Sequence, residues 1–197
     1  VEDGYDENGH IVYKNMDDDP AITAADKTII GDPNPDFLVN LTTAVSYKGF
    51  TLSAFFQSSI GNDIYSLSMA AQAYDYGYNG NTLREVYYNH WTPENPTAKY
   101  PNLDQTSYKM SDRFVYDGSF VRLKNLELAY DVPCARSKFI KRARAYVSAQ
   151  NLFTITSYPF WDPDINANGG GSSMIQGVDS YCYPSARTYT IGCRLTF

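Results

Sequence analysis

Five segments of the chain alternate between apolar and polar residues, which is the period-two pattern of β-strands with one apolar face. They are 37–47, 50–60, 120–130, 143–153 and 187–197. The last is the clearest, because from Thr188 to Phe197 every odd position is apolar and every even position is polar or glycine. The pattern predicts an all-β fold with about five long antiparallel strands.

Two local features refine this prediction. Lys48-Gly49 separates the first two segments and predicts a tight hairpin turn. In segment 120–130 the apolar phase changes between Leu123 and Leu126, and a one-residue β-bulge near Lys124-Asn125 reconciles the two halves.

The connections between the predicted strands differ greatly in length. The turn at 48–49 is short, 61–119 is long, 131–142 is moderate and 154–186 is long. Short turns alternating with long loops are typical of bacterial outer-membrane barrels, whose periplasmic turns are short and extracellular loops long. The alternative is a secreted β-sandwich that binds glycans, but strands of about ten residues exceed the usual ~5–6, and such long loops are uncommon in compact domains.

Composition agrees with strands and excludes some classes of protein. Tyr, Phe and Trp number 18, 10 and 2 among 197 residues, an aromatic content that favours β-structure. The formal net charge of -6 argues against a nucleic-acid partner. No run of about 18 apolar residues predicts a transmembrane helix, and the first residues lack the pattern of a signal peptide. Three cysteines without CxxC spacing, Cys134, Cys182 and Cys193, are expected to be free thiols.

Specific strings point to a family. They are, in chain order, Gly31-Asp32-Pro33-Asn34-Pro35-Asp36-Phe37, Tyr47-Lys48-Gly49-Phe50, Phe55-Phe56-Gln57-Ser58-Ser59-Ile60-Gly61-Asn62-Asp63-Ile64-Tyr65, Trp91-Thr92-Pro93-Glu94-Asn95-Pro96, Asp117-Gly118-Ser119-Phe120-Val121-Arg122-Leu123-Lys124-Asn125, Val147-Ser148-Ala149-Gln150-Asn151-Leu152-Phe153, and Tyr183-Pro184 leading to Arg187-Thr188-Tyr189-Thr190. Together and in this order they resemble the late barrel of SusC/RagA-type TonB-dependent outer-membrane transporters.

The resemblance implies the C-terminal barrel wall of an importer of oligosaccharides or peptides in the bacterial outer membrane. It implies a SusD-like surface lipoprotein and outer-membrane lipid as partners, and contact with TonB through an N-terminal part that this sequence lacks. Residues 1–36 would form an acidic extracellular loop and 37–197 the barrel strands and loops. Large plugged barrels have about 22 strands, so five strands would supply roughly a quarter of the wall and cannot close alone.

The apolar phase of the last strand carries a second implication of the resemblance. Its residues Tyr189, Ile191, Leu195 and Phe197 resemble the signal by which outer-membrane assembly machinery recognises its substrates. The alternative role of Phe197 is that of an aromatic residue at the lipid interface, and the two roles are compatible.

The acidic segment 15–26 has part of the spacing of a calcium loop. Asn15, Asp17, Asp19 and Asp26 occupy positions 1, 3, 5 and 12 of an EF-hand-like pattern, where oxygen ligands are required. Pro20 replaces the glycine of that pattern, and Asp26 is shorter than the usual glutamate. A solvated acidic loop is the favoured interpretation and a calcium site the alternative; no other cofactor is expected.

Aromatic and charged residues outside the apolar phase are further candidates. Those of the long connections suit sugar stacking or, preferably, an interface with the lipoprotein; they are Trp91, Tyr100, Tyr108, Tyr158, Trp161 and Tyr181. Charges in the polar phase predict a solvated wall, and these are Lys48, Lys124, Glu127, Arg144 and Arg194. The moderate connection is basic and suits anionic lipid head groups; its cations are Arg136, Lys138, Lys141 and Arg142.

No set of residues predicts an enzyme. The two histidines, His10 and His90, lie in predicted loops, and neither GxSxG nor HExxH occurs. Gly169-Gly170-Gly171 lacks a following helix signal and predicts a flexible loop tip rather than a phosphate site.

Overall fold

A computed structural model describes residues 1–74, 81–105, 108–134, 139–165 and 176–197 of the chain. The strands are β1 (Glu2–Tyr5), β2 (Ile11–Tyr13), β3 (Phe37–Tyr47), β4 (Phe50–Ile60), β5 (Asp63–Ser66), β6 (Val115–Asp117), β7 (Phe120–Val132), β8 (Arg142–Thr156), β9 (Val178–Asp179) and β10 (Thr188–Thr196). The helices are α1 (Leu67–Tyr74), α2 (Arg84–Tyr88) and a 3-10 turn at Asp112–Phe114. Within these ranges no helix is both long and apolar enough to span a membrane.

The long strands form one five-stranded antiparallel sheet in the order β10-β8-β7-β4-β3. The five strands predicted from alternation are confirmed, with β3 and β4 at the predicted bounds and β7 and β8 somewhat longer. Lys48 and Gly49, with φ of 46° and 86°, make the predicted turn. Two successive residues with positive φ are characteristic of the type I′ turn, whose twist suits a two-residue hairpin.

The register places most apolar residues of the five strands on one side of this sheet. A row across the sheet runs from Val45 through Leu52, Leu128 and Val147 to Ile191. We call this side the apolar face and the opposite side the polar face. The row that includes Ser46, Thr51 and Ala129 belongs to the polar face. Every member of the apolar row is exposed, from 44% for Leu128 to 86% for Ile191, so the described part of the chain leaves this row uncovered.

The predicted bulge is also confirmed. The register of β7 shifts between Leu123 and Asn125 against β8, and the pairing with β4 shifts at the same place. On β8 the register skips Asn151 and Leu152 at the same level, and Asn151 is a non-glycine residue with φ of 51°. Bulges on neighbouring strands thus compensate, and the apolar phase stays on one face above and below them.

The chain divides into two compact units. The first contains Val1–Asn34, Asp63–Tyr116 and Ile165–Cys182, and the second, with the five-stranded sheet, contains Pro35–Asn62, Asp117–Asp164 and Tyr183–Phe197. The first unit holds the β1-β2 hairpin, both α-helices and a small sheet in the order β6-β5-β9.

The first unit has a core of its own. Ile64, Val86 and Phe114 are each at most 1% exposed. The sequence pattern predicted only loops in the connections that build this unit. Strands of two to four residues and helices of five to eight are too short for a hydrophobic period to be visible, which explains the omission.

Candidate functional site

The apolar face is the first candidate surface. Its exposed apolar side chains extend over all five strands, and a contiguous apolar area of this kind marks a protein or membrane contact. The predicted assembly-signal residues lie on it: Tyr189, Ile191, Leu195 and Phe197 are 69%, 86%, 47% and 72% exposed. The structure therefore brings them together on one face, as the alternation predicted, and their role in assembly stays a prediction.

Several aromatic rings lie close together on the apolar face, at the end of the sheet that contains the Lys48-Gly49 turn. Phe50 and Tyr130 stack with ring centroids 4.5 Å apart, and Tyr47 lies beside them in the register. Lys48 Nζ lies 5.2 Å from the centroid of the Tyr47 ring. Aromatic rings next to a lysine are the side chains that favour a membrane–water interface.

The second candidate surface is on the polar face, around Arg122 of β7. Arg122 is 1% exposed and forms an ion pair with Asp162, which is 6% exposed. Its Nε donates to Thr154 Oγ1 at 2.9 Å, and its Nη1 lies 3.3 Å from both Asp164 Oδ2 and Ser185 Oγ. A buried guanidinium with this many acceptors is held in one orientation.

The Asp162 carboxylate also has several hydrogen-bond donors. Burial opposes its ionisation, but the N–H groups of Ser185 and Asp164 together with the Arg122 guanidinium outweigh burial and lower the pKa of its carboxyl. The Asp162 carboxylate is therefore charged at neutral pH. The alternation pattern did not predict this network; its only local signals were an arginine in the polar phase and the Asp-Pro-Asp run at 162–164.

Other charged residues of the polar face pair with one another. Arg144 lies 3.3 Å from Glu127 and 3.7 Å from Asp131. Arg194 is exposed and faces Arg144 directly in the register. Lys124, at the bulge, lies 3.7 Å from Asp164. The predicted polar wall is thus partly an ion-pair network.

Side-chain oxygens of the acidic segment accept hydrogen bonds from backbone N–H groups of the same segment. Asn15, Asp17 and Asp19 each accept the N–H of the residue two positions later at 3.0 Å. Both oxygens of Asp26 accept backbone N–H groups, from Met16 and Thr23, at 2.7 Å each, and these bonds lower the pKa of its carboxyl. Within the described ranges no three side chains of His, Cys, Asp or Glu gather as metal ligands. The calcium site stays a prediction.

The aromatic candidates separate by burial. Tyr100 and Tyr158 are 2% and 4% exposed, whereas Trp161 and Tyr181 are 60% and 54% exposed. Trp91 is half-buried, and its ring lies against Gly9, where a β-carbon would overlap it. Trp161 and Tyr181 are thus the ones placed to meet a ligand or partner.

A cavity of about 500 Å³ lies in the first unit. Its lining includes His10, Tyr13, Asp104 and Lys109. His10 Nε2 lies 2.9 Å from Asp104 Oδ1, and this contact joins the turn of the β1-β2 hairpin to the other side of the cavity lining. The second histidine, His90, contacts the backbone oxygen of Tyr87 through Nδ1 at 2.6 Å. Both histidines have structural partners.

Several predicted features fall partly or wholly outside the described residues. Arg136 and Lys138 of the basic connection lie outside the described residues, and so does the predicted glycine-rich loop tip at 169–171. The two remaining cations of that connection, Lys141 and Arg142, are exposed next to the end of β10, where the Lys141 N–H donates to the Thr196 oxygen at 2.7 Å.

Comparison with known proteins gives the family. No family model matches the chain. It is 34% identical to the TonB-dependent receptor P3 of Formosa agariphila over 98% of its own length and 20% of that receptor. It is 32% identical to the receptor P26 of the same organism, over 96% of the chain and 20% of the receptor. With the TonB-dependent receptor SusC of Bacteroides thetaiotaomicron it shares 29% identity, over 98% of the chain and 18% of the receptor.

Solved structures agree with these relatives. The RagAB peptide transporter matches with a TM-score of 0.79 and 26% identity, over 100% of this chain and 22% of that one. The RagAB peptide importer in its open-open state matches with a TM-score of 0.77 and 27% identity over the same shares. The chain spans about a fifth of the length of the curated relatives it matches. The resemblance found in the sequence strings is confirmed: the relatives that the chain matches are TonB-dependent receptors, SusC among them, and the solved structures that it matches are of RagAB.

Proposed function

We propose that this chain forms the C-terminal part of the β-barrel wall of a TonB-dependent importer in a bacterial outer membrane. The observation that carries the proposal is the five-stranded antiparallel sheet with one exposed apolar face and one polar face. Strands of 9 to 15 residues suit a tilted crossing of the hydrocarbon layer, which needs about 9–11 residues. The apolar face would contact lipid and the polar face would line the lumen.

The edges of the sheet support a larger barrel. β3 and β10 are edge strands, and each has one neighbour in the sheet. Backbone groups along an open edge have no partner in lipid, so a membrane-spanning sheet must close. The rest of the receptor would supply the strands that pair with these two edges.

Substrate and partners follow from the relatives. The solved RagAB structures are of a peptide importer, and SusC is a TonB-dependent receptor. We propose import of peptides or oligosaccharides, with TonB acting on a part of the receptor outside this chain and a SusD-like surface lipoprotein covering the extracellular end. The exposed Tyr181 of the first unit is a candidate contact for that lipoprotein.

The alternative, a secreted β-sandwich that binds glycans, requires a second layer over the apolar face. Leu128, on the central strand β7, is 44% exposed on that face, which favours the barrel.

The test compares two arginine substitutions in the full-length receptor. Ile191→Arg places a charge on the apolar face, and Thr190→Arg places the same charge next to it on the polar face. On a lipid-facing strand an arginine costs about 2–4 kcal/mol near the bilayer centre. We expect Ile191→Arg to reduce the folded, detergent-extractable receptor in the outer membrane while Thr190→Arg leaves it unchanged. Equal effects of the two variants, or a native product that is soluble without detergent, would refute the barrel.

A further inference from the structure

The segment that follows β8 folds back over the sheet. The chain leaves β8 at Thr156, yet Asp162 reaches Arg122, whose Nε donates to Thr154 inside the strand at 2.9 Å. Arg122 and Thr154 are partners in the register between β7 and β8. A segment that extended away from the end of β8 would not reach the Arg122–Thr154 pair, which lies inside the two strands. Residues 157–164 therefore turn back along the sheet.

This return takes place on the polar face. Asp162 pairs with Arg122 on β7 through one carboxylate oxygen, and through the other it accepts the Ser185 N–H at 2.9 Å. Ser185 lies just before β10, which is on the opposite side of β8 from β7. Neighbouring strands are about 4.8 Å apart, so one carboxylate that links both neighbours of β8 must lie across β8 itself. Arg122 belongs to the polar face, and the crossing is on that side.

The crossing is held tightly. Asp164 adds a contact of 3.3 Å to Arg122 and donates its own N–H to Asp162 Oδ1 at 3.0 Å. Both members of the central ion pair are more than nine-tenths buried. Removing one partner of a buried ion pair leaves an uncompensated charge, so Arg122 and Asp162 depend on each other.

We propose that residues 157–164 line the lumen of the barrel, narrow the path of the imported solute and present Trp161 to it, with Arg122 as the positioning residue. This inference rests on the proposed function, because that function makes the polar face the lumen. Trp161 precedes Asp162 and is 60% exposed, with its ring 5.3 Å from that of Phe160. An exposed tryptophan on a clamped segment loses little further freedom when a ligand stacks on it.

Thiol labelling of the full-length receptor on whole cells tests the inference. In a variant without native cysteines (Cys134→Ser, Cys182→Ser and Cys193→Ser in this chain), Trp161→Cys is compared with Tyr88→Cys. Tyr88 is 72% exposed on α2, in a connection that the proposed function places outside the cell. Two membrane-impermeant maleimides are used, one small and charged and one carrying a long polyethylene glycol chain.

We expect the small reagent to label both positions and the large reagent to label position 161 at least ~10-fold more slowly than position 88, because a shielded group reacts with a bulky reagent only after local opening. Adding Arg122→Gln should remove most of this difference without affecting position 88. Arg122→Lys, which keeps the charge but loses the planar fork, should be intermediate.

Three results would overturn the inference. The large reagent labelling both positions equally in the parent would place the segment outside the lumen, and no labelling of position 161 by the small reagent would remove it from the solute path. An unchanged ratio in a folded Arg122→Gln receptor would remove Arg122 from the positioning role. Absence of labelling at position 88 would instead refute the proposed function, and the inference with it.

Discussion

The ring of Tyr146 on β8 lies over the backbone of Gly192 on β10. The two residues are direct partners in the register, and a β-carbon on Gly192 would lie 2.6 Å from Cζ and Oη of the tyrosine. The glycine thus leaves room for a large ring on the polar face of an edge strand. Aromatic cover of a strand glycine is a recognised way to fix register.

Substitution of Gly192 should therefore destabilise the contact between β8 and β10. Gly192→Ala is expected to cost about 1 kcal/mol, because the ring must move aside and overpacking costs of this size are usual. In a Tyr146→Ala background the same substitution should cost nothing. Urea unfolding of the full-length receptor gives the coupling from the double-mutant cycle. Additive effects of the two substitutions would show that the ring does not constrain this glycine.

The first unit contains an ion pair between Glu2 and Arg113. Arg113 Nε lies 2.9 and 2.7 Å from the two Glu2 oxygens, and Ser111 Oγ donates to Glu2 Oε1 at 2.7 Å. The side chains of Arg113 and Glu2 are 17% and 11% exposed. Glu2→Gln should destabilise the packing of β1 on 111–113 by about 1.5–3 kcal/mol, the range for hydrogen bonds to a charged group.

Amide hydrogen exchange of peptides covering 108–115 measures this change in the full-length receptor. Asp3→Asn, a charge removal at the exposed neighbouring residue, is the matched control. If both variants exchange alike, the ion pair is not what holds β1.

The acidic segment should lose order in acid. Because the N–H groups of Met16 and Thr23 lower the pKa of Asp26 below its ordinary value, this carboxylate stabilises the folded loop above the unfolded pKa, and the contribution is lost as pH falls through the folded value. The loss should therefore begin below about pH 4. Exchange of the Met16 and Thr23 amides against pH measures it.

Asp26→Asn should abolish most of that pH dependence, since the neutral amide has no carboxylate to protonate. Asp18→Asn, at an exposed position of the same segment, should leave it intact. Retention of the acid transition in Asp26→Asn would assign it to another group.

Calcium titration decides between the two interpretations of this segment. We expect no saturable heat at millimolar calcium, because Oδ1 of Asn15, Asp17 and Asp19 and both carboxylate oxygens of Asp26 already accept backbone N–H groups of their own loop. Isothermal titration of the full-length receptor is the measurement. A saturable signal that disappears in Asp17→Asn would establish the calcium loop instead.

The terminal aromatic residue provides a test of the assembly signal. Phe197→Ser should lower the amount of receptor assembled in the outer membrane, because Phe197 is 72% exposed on the apolar face and an aromatic ring there suits both the assembly signal and the lipid interface. Thr196→Ser, the neighbouring polar-face residue, is the control. Heat-modifiable mobility on gels measures the folded fraction. Undiminished assembly of Phe197→Ser would exclude the signal role for this residue.

Much of the five-stranded sheet could be predicted from local sequence patterns. Alternation located all five long strands, and the phase change between Leu123 and Leu126 located the bulge, because both signals lie within a few consecutive residues. The connections gave no such signal. Their short strands and helices acquire order from packing around residues such as Val86 and Phe114, which no local period marks.

The candidate sites divide in the same way. The apolar face was predictable because side chains in a strand alternate between two faces, so the sequence alone assigns Tyr189, Ile191 and Leu195 to one side. The pairing of Arg122 with Asp162 was not, since it joins residues 40 positions apart across a neighbouring strand. The sequence by itself determined which residues alternate and hence the two faces of the sheet. Only the tertiary structure decided which strands are neighbours and where the connection after β8 returns, because register and loop path depend on contacts between residues distant in the chain.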